Sequence, residues 1–266
     1  MERKLETYFA NPEISDNAIE ELLGFAHARL GPALDRIRRP MARMAMVDSR
    51  IGALLAAQSL RGLLALRFMD SDDSADLVAA LRRRFDLVED AALGAEIGDE
   101  IEGLMRGNSA AVTARAVDLT LVASAFQRRA LARLRRVPAG SVISYQGLAA
   151  AIGMPSAQRA IGNTVAANPV PIYVPCHRVI RSDGSLGNYG GGPERKLQLL
   201  RAEGFGVDPQ RRVPPEAVYG HWRSHIFCRP TCSAVRRGER RQWLIFANSQ
   251  GAQRFGMRAC KLCQPA

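Results

Sequence analysis

Long apolar runs are missing from this chain of 266 residues. Apolar stretches such as 52–57 and 62–66 fall far short of the ~20 residues a helix needs to cross a bilayer. A membrane-spanning helix is therefore not expected. The amino terminus, MERKLETYF, lacks an apolar h-region, so no secretory leader is expected and a cytoplasmic setting follows as the default. Cysteine is scarce, with five in all, and a cytosolic chain of this size has no need of a disulfide framework. Internal repeats and low-complexity tracts are absent, which sets solenoid and fibrous folds aside.

Acidic residues also run short, but only beyond position 123. Residues 1–123 carry a net charge of −5, residues 124–204 carry +8 and residues 205–266 carry +8, which together give the formal +11 of the whole chain. A basic surface raises affinity for polyphosphates in a salt-dependent way. A solvated basic face kept for solubility has the same signature. The apolar fraction of 47% is that of an ordinary globular protein. At ~150 residues per domain, the length implies two or three domains.

Periodicity predicts a helix over 16–34, capped by Asp16 and apolar at Ile19, Leu22, Leu23, Ala26 and Leu30. Three short apolar runs, 43–47, 52–58 and 62–68, are separated by turn residues and predict a small antiparallel meander. A helix over 74–85 follows. Further on, 126–134 predicts a basic amphipathic helix. Two short helices, 144–152 and 156–167, flank Gly153-Met154-Pro155, each opened by a serine placed to cap it. This is helix-turn-helix spacing, shared by DNA readers and by many helical hairpins that bind nothing. A strand is expected at 169–174, a glycine-rich loop at 184–192 and a closing helix at 194–203. The prolines at 209, 214 and 215 mark 205–218 as a linker.

The cysteines divide into one and four. Cys176 stands alone in Val174-Pro175-Cys176-His177-Arg178-Val179-Ile180. A thiol attacks only as thiolate, and a nearby His and Arg favour that form. Adjacent side chains point apart, so a water or a turn must link Cys176 to His177. A buried structural cysteine fits the same residues, and so does a Cys-His hydrolase. Cys228, Cys232, Cys260 and Cys263 form two short-spaced pairs, a strong signature of a tetrahedral zinc site. The ~48 residues around them are too few to fold well on an apolar core alone, and metal binding would supply the missing free energy.

From Phe126 to Glu203 the chain resembles the O6-alkylguanine–DNA alkyltransferase family. The matching segments are Tyr145-Gln146-Gly147-Leu148-Ala149, Arg159-Ala160-Ile161-Gly162, Asn168-Pro169-Val170-Pro171, Pro175-Cys176-His177-Arg178-Val179 and Gly187-Asn188-Tyr189-Gly190-Gly191-Gly192. The 43–85 region resembles that family's amino-terminal domain more loosely. The resemblance implies that Cys176 accepts the alkyl group, with His177 (through a water) and Glu203 as the relay that deprotonates it. It implies that Asn168 holds the segment, Tyr145 protonates the departing guanine, and Arg159 fills the stack once the base is flipped out. Ser144, Gln158, Ala160, Gly162 and Asn163 would contact DNA, and Val179 and Tyr189 the guanine. The small residues Ala160, Gly162, Ala166 and Ala167 also suit close helix packing.

The cysteine quartet resembles the zinc domain of the Ada type, through Ile226-Phe227-Cys228-Arg229-Pro230-Thr231-Cys232 and Gly256-Met257-Arg258-Ala259-Cys260-Lys261-Leu262-Cys263. In that family the domain precedes the alkyltransferase; here it follows. The family's Arg-Thr-Thr-Gly is replaced by Trp222-Arg223-Ser224-His225. Cys228 holds the position of the methylphosphotriester acceptor. No module of the AraC type is recognisable, so a role in transcription has no support.

The expected fold class is α/β in the broad sense (α+β). It comprises an amino-terminal domain with a small antiparallel sheet (1–120), a helical alkyltransferase domain with a helix-turn-helix (121–204), the linker (205–218) and a zinc-bound module (219–266). The expected function is single-turnover transfer of the alkyl group of O6-methylguanine, and of O4-methylthymine, from double-stranded DNA to Cys176. The protein would act as a monomer, with structural zinc, no organic cofactor and no membrane. The rival readings are a DNA-damage binder whose zinc module only anchors it, and a Cys-His hydrolase.

Overall fold

The structure, a computed structural model, describes residues 39–70, 74–237 and 243–265, and besides these only residues 20, 21, 24 and 25. The helix expected over 16–34 lies outside the described residues except for those four, which are helical. No helix among the described residues is long and apolar enough to cross a membrane.

The amino-terminal sheet is built from β1 (Met41–Val47), β2 (Leu54–Ser59), β3 (Gly62–Phe68) and β4 (Asp86–Glu89). β1–β2–β3 is the expected antiparallel meander, with Val47 opposite Leu54 and Leu54 opposite Phe68. β4 adds a parallel edge to β1, reached through α1 (Ser74–Arg82), so the sheet is mixed rather than purely antiparallel. The longest helix among the described residues, α2 (Ala91–Met105), covers the sheet. Asp90 caps it by accepting from Leu93 N at 3.2 Å, and Leu93, Ile97, Ile101 and Leu104 recur on its buried face. Gly94 lets it lie on β1, since a Cβ there would stand 2.4 Å from Met46 O. A short α3 (Ala110–Ala114) follows.

α4 (Ala125–Leu134) opens the next region, capped by Ser124. β5 (Ser141–Ser144) leads into the helix-turn-helix: α5 (Tyr145–Ala151), the turn at Gly153 (φ 78°) and α6 (Gln158–Ala166). Ser144 caps α5 as expected, accepting from Gly147 N at 2.9 Å. Ser156 does not cap α6. That helix starts two residues later, after Ala157, and the chain enters it through a turn in which Ala157 N donates to Met154 O. No strand forms over 169–174. Ile172 adopts φ 75°, which turns the chain back and leaves only an isolated bridge between Pro171 and Val174. A 3-10 turn, Cys176–Arg178, leads straight into β6 (Val179–Ile180), and α7 (Pro193–Ala202) closes the region.

The carboxyl-terminal elements are β7 (Val218–His221), β8 (Ile226–Cys228), α8 (Ser233–Arg237), β9 (Trp243–Phe246), α9 (Ser249–Arg254) and β10 (Arg258–Ala259). They do not form a separate bead. β9 pairs antiparallel with β5, with Ser141 opposite Phe246 and Ile143 opposite Leu244, so one sheet runs β10-β8-β7-β9-β5-β6. Residues 205–218, expected as a slack linker, pack against this sheet: Phe205 and Ala217 are buried with Val142, Ile180, Leu200 and Ile245. Burying a side chain such as Phe205 stabilises by about 1.5–3 kcal/mol. The main core likewise runs without a break from Leu63 and Ile97 through Leu148 and Cys176 to Leu244, Phe246 and Met257.

Candidate functional site

Cys176 sits at the start of the 3-10 turn, 5% exposed. Asn168, just past the end of α6, donates from Nδ2 to Cys176 Sγ at 3.1 Å and to Val174 O at 2.8 Å. Its Oδ1 accepts from Val170 N at 3.1 Å, so the amide cannot turn over. Burial raises the thiol above its ordinary pKa of 9.0, against the opposing Asn168 hydrogen bond and the charge of Lys196. The resting sulfur is therefore a thiol, and an acceptor must take its proton before it can attack.

The next residue in the turn is a neutral imidazole. His177 is fully buried, and its Nε2 lies 2.8 Å from Glu203 Oε1. Burial lowers the imidazole below its ordinary 6.5, so it is neutral at neutral pH. Glu203 is gripped by Arg178, Nε to Oε2 at 2.8 Å and Nη2 to Oε1 at 2.6 Å. Burial alone would raise this carboxyl, but the charges and hydrogen bonds of His177 and Arg178 outweigh it and bring it down to about 2. An ionised Glu203 accepts from Nε2–H and so fixes the tautomer with Nδ1 as the free base. Nδ1 is buried and has no hydrogen-bond partner. Arg178 also donates to Val137 O, tying the turn to the end of α4.

Cys176 opens onto a cavity of about 220 Å³, lined also by Leu66, Phe68, Val165, Asn168 and Tyr189. Both halves of the molecule contribute, β3 from one and α6 with the glycine loop from the other. The Tyr189 hydroxyl is buried and has no partner. Gly191 is required here, because a Cβ would stand 2.6 Å from the Phe68 ring and 2.7 Å from that of Tyr189.

The DNA-contact residues expected from the sequence fall in a second place. Tyr145, Gln158, Arg159 and Gly162 line an open groove with Gln146 and Arg181. Ala160 and Asn163 are exposed on α6, and Gly162 faces open space. Tyr145 is half-buried, which raises its pKa, and the nearby Cys176 raises it further. Ser144 is engaged as the α5 cap. Val179 does not line the cavity, and its carbonyl already accepts from Lys196 Nζ at 2.6 Å. Lys196 itself was not foreseen. It is fully buried on α7, also donates to Leu186 O, and is lowered to about 8 by burial. A lysine among the apolar positions of an amphipathic helix is the signal that could have found it.

The four remaining cysteines converge, with ligand atoms within 4.8 Å of one another. Cys228 and Cys232 are buried, while Cys260 and Cys263 are half-buried. Burial and then Cys260 raise the Cys228 thiol, and the other sulfurs add to the effect. Four sulfurs that converge on one point fit a divalent soft metal. These four residues form the structural zinc site of the chain.

A buried cysteine with a His-Glu relay, set behind a helix-turn-helix, defines a DNA-directed thiol centre as the class of this fold. Two family profiles match: "6-O-methylguanine DNA methyltransferase, DNA binding domain" over residues 125–205, and "Metal binding domain of Ada" over residues 209–266. The methylated-DNA–protein-cysteine methyltransferase of Mycobacterium leprae is 36% identical over 157 residues, 59% of this chain and 89% of that protein. The bifunctional transcriptional activator/DNA repair enzyme Ada of Escherichia coli is 37% identical over 161 residues, 60% of this chain but 45% of that protein. The chain thus spans less than half the length of that relative. Among solved structures, Mycobacterium tuberculosis OGT in complex with DNA matches with a TM-score of 0.51 and 32% identity, covering 60% of this chain and 92% of that one. The chain belongs to the methylated-DNA–protein-cysteine methyltransferase family.

Proposed function

We propose that this chain repairs O6-methylguanine, and O4-methylthymine, in double-stranded DNA by moving the methyl group irreversibly to Cys176. The observation that carries the reading is a buried thiol facing an open-mouthed cavity beside a neutral His177 whose free nitrogen is Nδ1. His177 takes the thiol proton through a bridging water, and Glu203 and Arg178 hold it in the tautomer that can do so. The Cys176 sulfur then attacks the methyl carbon as the bond to guanine O6 breaks. Tyr145 gives its proton to the departing guanine, whose O6 becomes a carbonyl. The thioether formed is stable, so each molecule acts once.

The target atom lies inside a duplex and must be extruded, at an expense of a few kcal/mol. Arg159, exposed at the start of α6, fills the gap in the stack. Ser144, Gln158, Ala160, Gly162 and Asn163 flank it, and Tyr189 on the cavity wall receives the base. The protein works as a cytoplasmic monomer, with residues 1–120 and 121–204 acting as the two domains of one repair unit. Mass spectrometry after incubation with O6-methylguanine DNA tests the reading. Cys176 gains one methyl, about 14 Da, without a second turnover. Continued turnover favours the hydrolase, and an unmodified protein bound to the lesion favours the damage binder.

For the module after residue 205, the geometry supports an anchoring and architectural role. Cys228 is 2% exposed and lies inside the sheet. Methyl acceptance from backbone phosphotriesters at Cys228 is the second reading, supported by its position in the matched metal-binding domain.

A further inference from the structure

The junction of the two halves creates a feature that neither half has alone. Because β9 joins β5, the turn between β7 and β8 is carried onto α4 and α5. There the Arg133 guanidinium carbon lies 3.8 Å from the ring centroid of Trp222. Arg133 Nε is buried without a hydrogen-bond partner. A cavity of about 320 Å³ opens beside it, lined by Arg133, Ile143, Ala150, Ala151, Trp222 and Arg223. An adjoining groove adds Arg129 and Arg136 along the face of α4.

Among the described residues no carboxylate lines either space. Burial lowers the Arg133 pKa, and the charges of Arg136 and Arg223 lower it further. Like charges gathered without a counter-charge repel, and an anion among them removes the penalty. A flat cation stacked on an aromatic wall also presents its N–H edges outward, the fork that suits a phosphate. The groove borders the turn of the helix-turn-helix, where Arg129 Nη2 donates to Ile152 O at 2.8 Å. In helix-turn-helix proteins the first helix crosses the nucleic-acid backbone, so the end of α5 lies where phosphates pass.

We propose that this junctional groove holds a phosphodiester of the DNA strand running past α5, with Arg133 and Arg223 as donors and Trp222 as the wall that orients them. The proposal rests on the reading of duplex DNA as partner. It gives the carboxyl-terminal module a contact with DNA distinct from its four-cysteine centre.

The test measures binding of the full zinc-loaded chain to an undamaged duplex across a range of salt. Arg223→Gln and Arg136→Gln replace exposed side chains, and Arg201→Gln on α7 serves as the control for loss of one charge. Arg223→Gln is expected to bind more weakly and to reduce the slope of log affinity against log salt by about 0.9 for the lost phosphate contact, and Arg136→Gln in the adjoining groove to weaken binding less. Arg201→Gln should leave the slope in place. Equal behaviour of all three variants overturns the proposal. So does pyrophosphate binding that Arg223→Gln abolishes while duplex affinity stays unchanged, because the groove would then serve a free anion. A wild-type chain with no affinity for duplex overturns the DNA reading itself.

Discussion

Cys176 and Cys228 are both buried, at 5% and 2% exposure, yet their neighbours differ in kind. Around Cys176 stand groups joined by hydrogen bonds: Asn168 donates to the sulfur, and the adjacent His177 pairs with Glu203, which Arg178 holds. Around Cys228 stand three more sulfurs. The first sulfur sits at the mouth of a cavity; the second sits within a β-strand. Burial pushes both thiols up, but the remedy differs. One centre carries its own base, and the other needs a metal cation. The same element can therefore serve chemistry or architecture in one chain, and what surrounds it decides which.

The most severe test of this contrast is Cys176→Ala. It should abolish transfer from O6-methylguanine DNA altogether, as read by mass spectrometry, while DNA methylated only on its backbone leaves Cys228 unmodified. Methyl on Cys228 in that second arm would break the comparison by making both sulfurs acceptors. Next in size is chelation of the metal. A structural zinc contributes about 10–16 kcal/mol to small domains of this kind. Its removal should strip hydrogen-exchange protection from β7, β8 and β10 while β1–β3 keep theirs. Full protection throughout would show that the four sulfurs are not architectural.

Smaller, and confined to the first centre, is Glu203→Gln. Loss of a positioned proton relay slows such reactions by about 10²-fold or more. The same group shapes the acid limb of stability. Its folded pKa of about 2 lies below the ordinary 4.5, so its contribution is complete above pH 4.5 and is lost as pH falls towards 2. Acid titration of the wild type should show that step and the variant should lack it; an identical acid limb would mean that Glu203 is not ionised in the fold. The smallest effect concerns the turn before Cys228. His225 holds φ 51°, a left-handed conformation that favours glycine. His225→Gly should change stability by less than about 1 kcal/mol, towards a higher melting temperature, because its ring also stacks on Phe255. A clear loss of stability would give the stack more weight than the backbone.

The sequence made the two sulfur centres legible because their information is local. Pro175-Cys176-His177-Arg178-Val179 and the paired cysteines each lie within a few residues. The helix-turn-helix was legible for the same reason. Pairings between distant segments were not. β5 is four residues long, too short to show alternation, and its partners β6 and β9 lie far along the chain. The 169–174 segment reads as a strand by composition, but Pro169, Pro171 and the reversed Ile172 make it a turn. α2 had a readable period at Leu93, Ile97, Ile101 and Leu104 that went unused. The burial of Lys196 was readable from its place among the apolar positions of α7, but its partners were not, because they are backbone carbonyls.

The shared sheet also bears on how the molecule could be taken apart. A chain stopped near residue 204 would keep every residue of the thiol centre, yet it would leave the edge of β5 bare where β9 now pairs. Val142 and Ile180 would lose Phe205, Ala217 and Ile245 as cover. An unpaired apolar edge is a template for adding strands from other molecules. The severed repair half would then tend to associate edge to edge and leave solution, whereas the intact chain seals that edge with its own carboxyl-terminal strand.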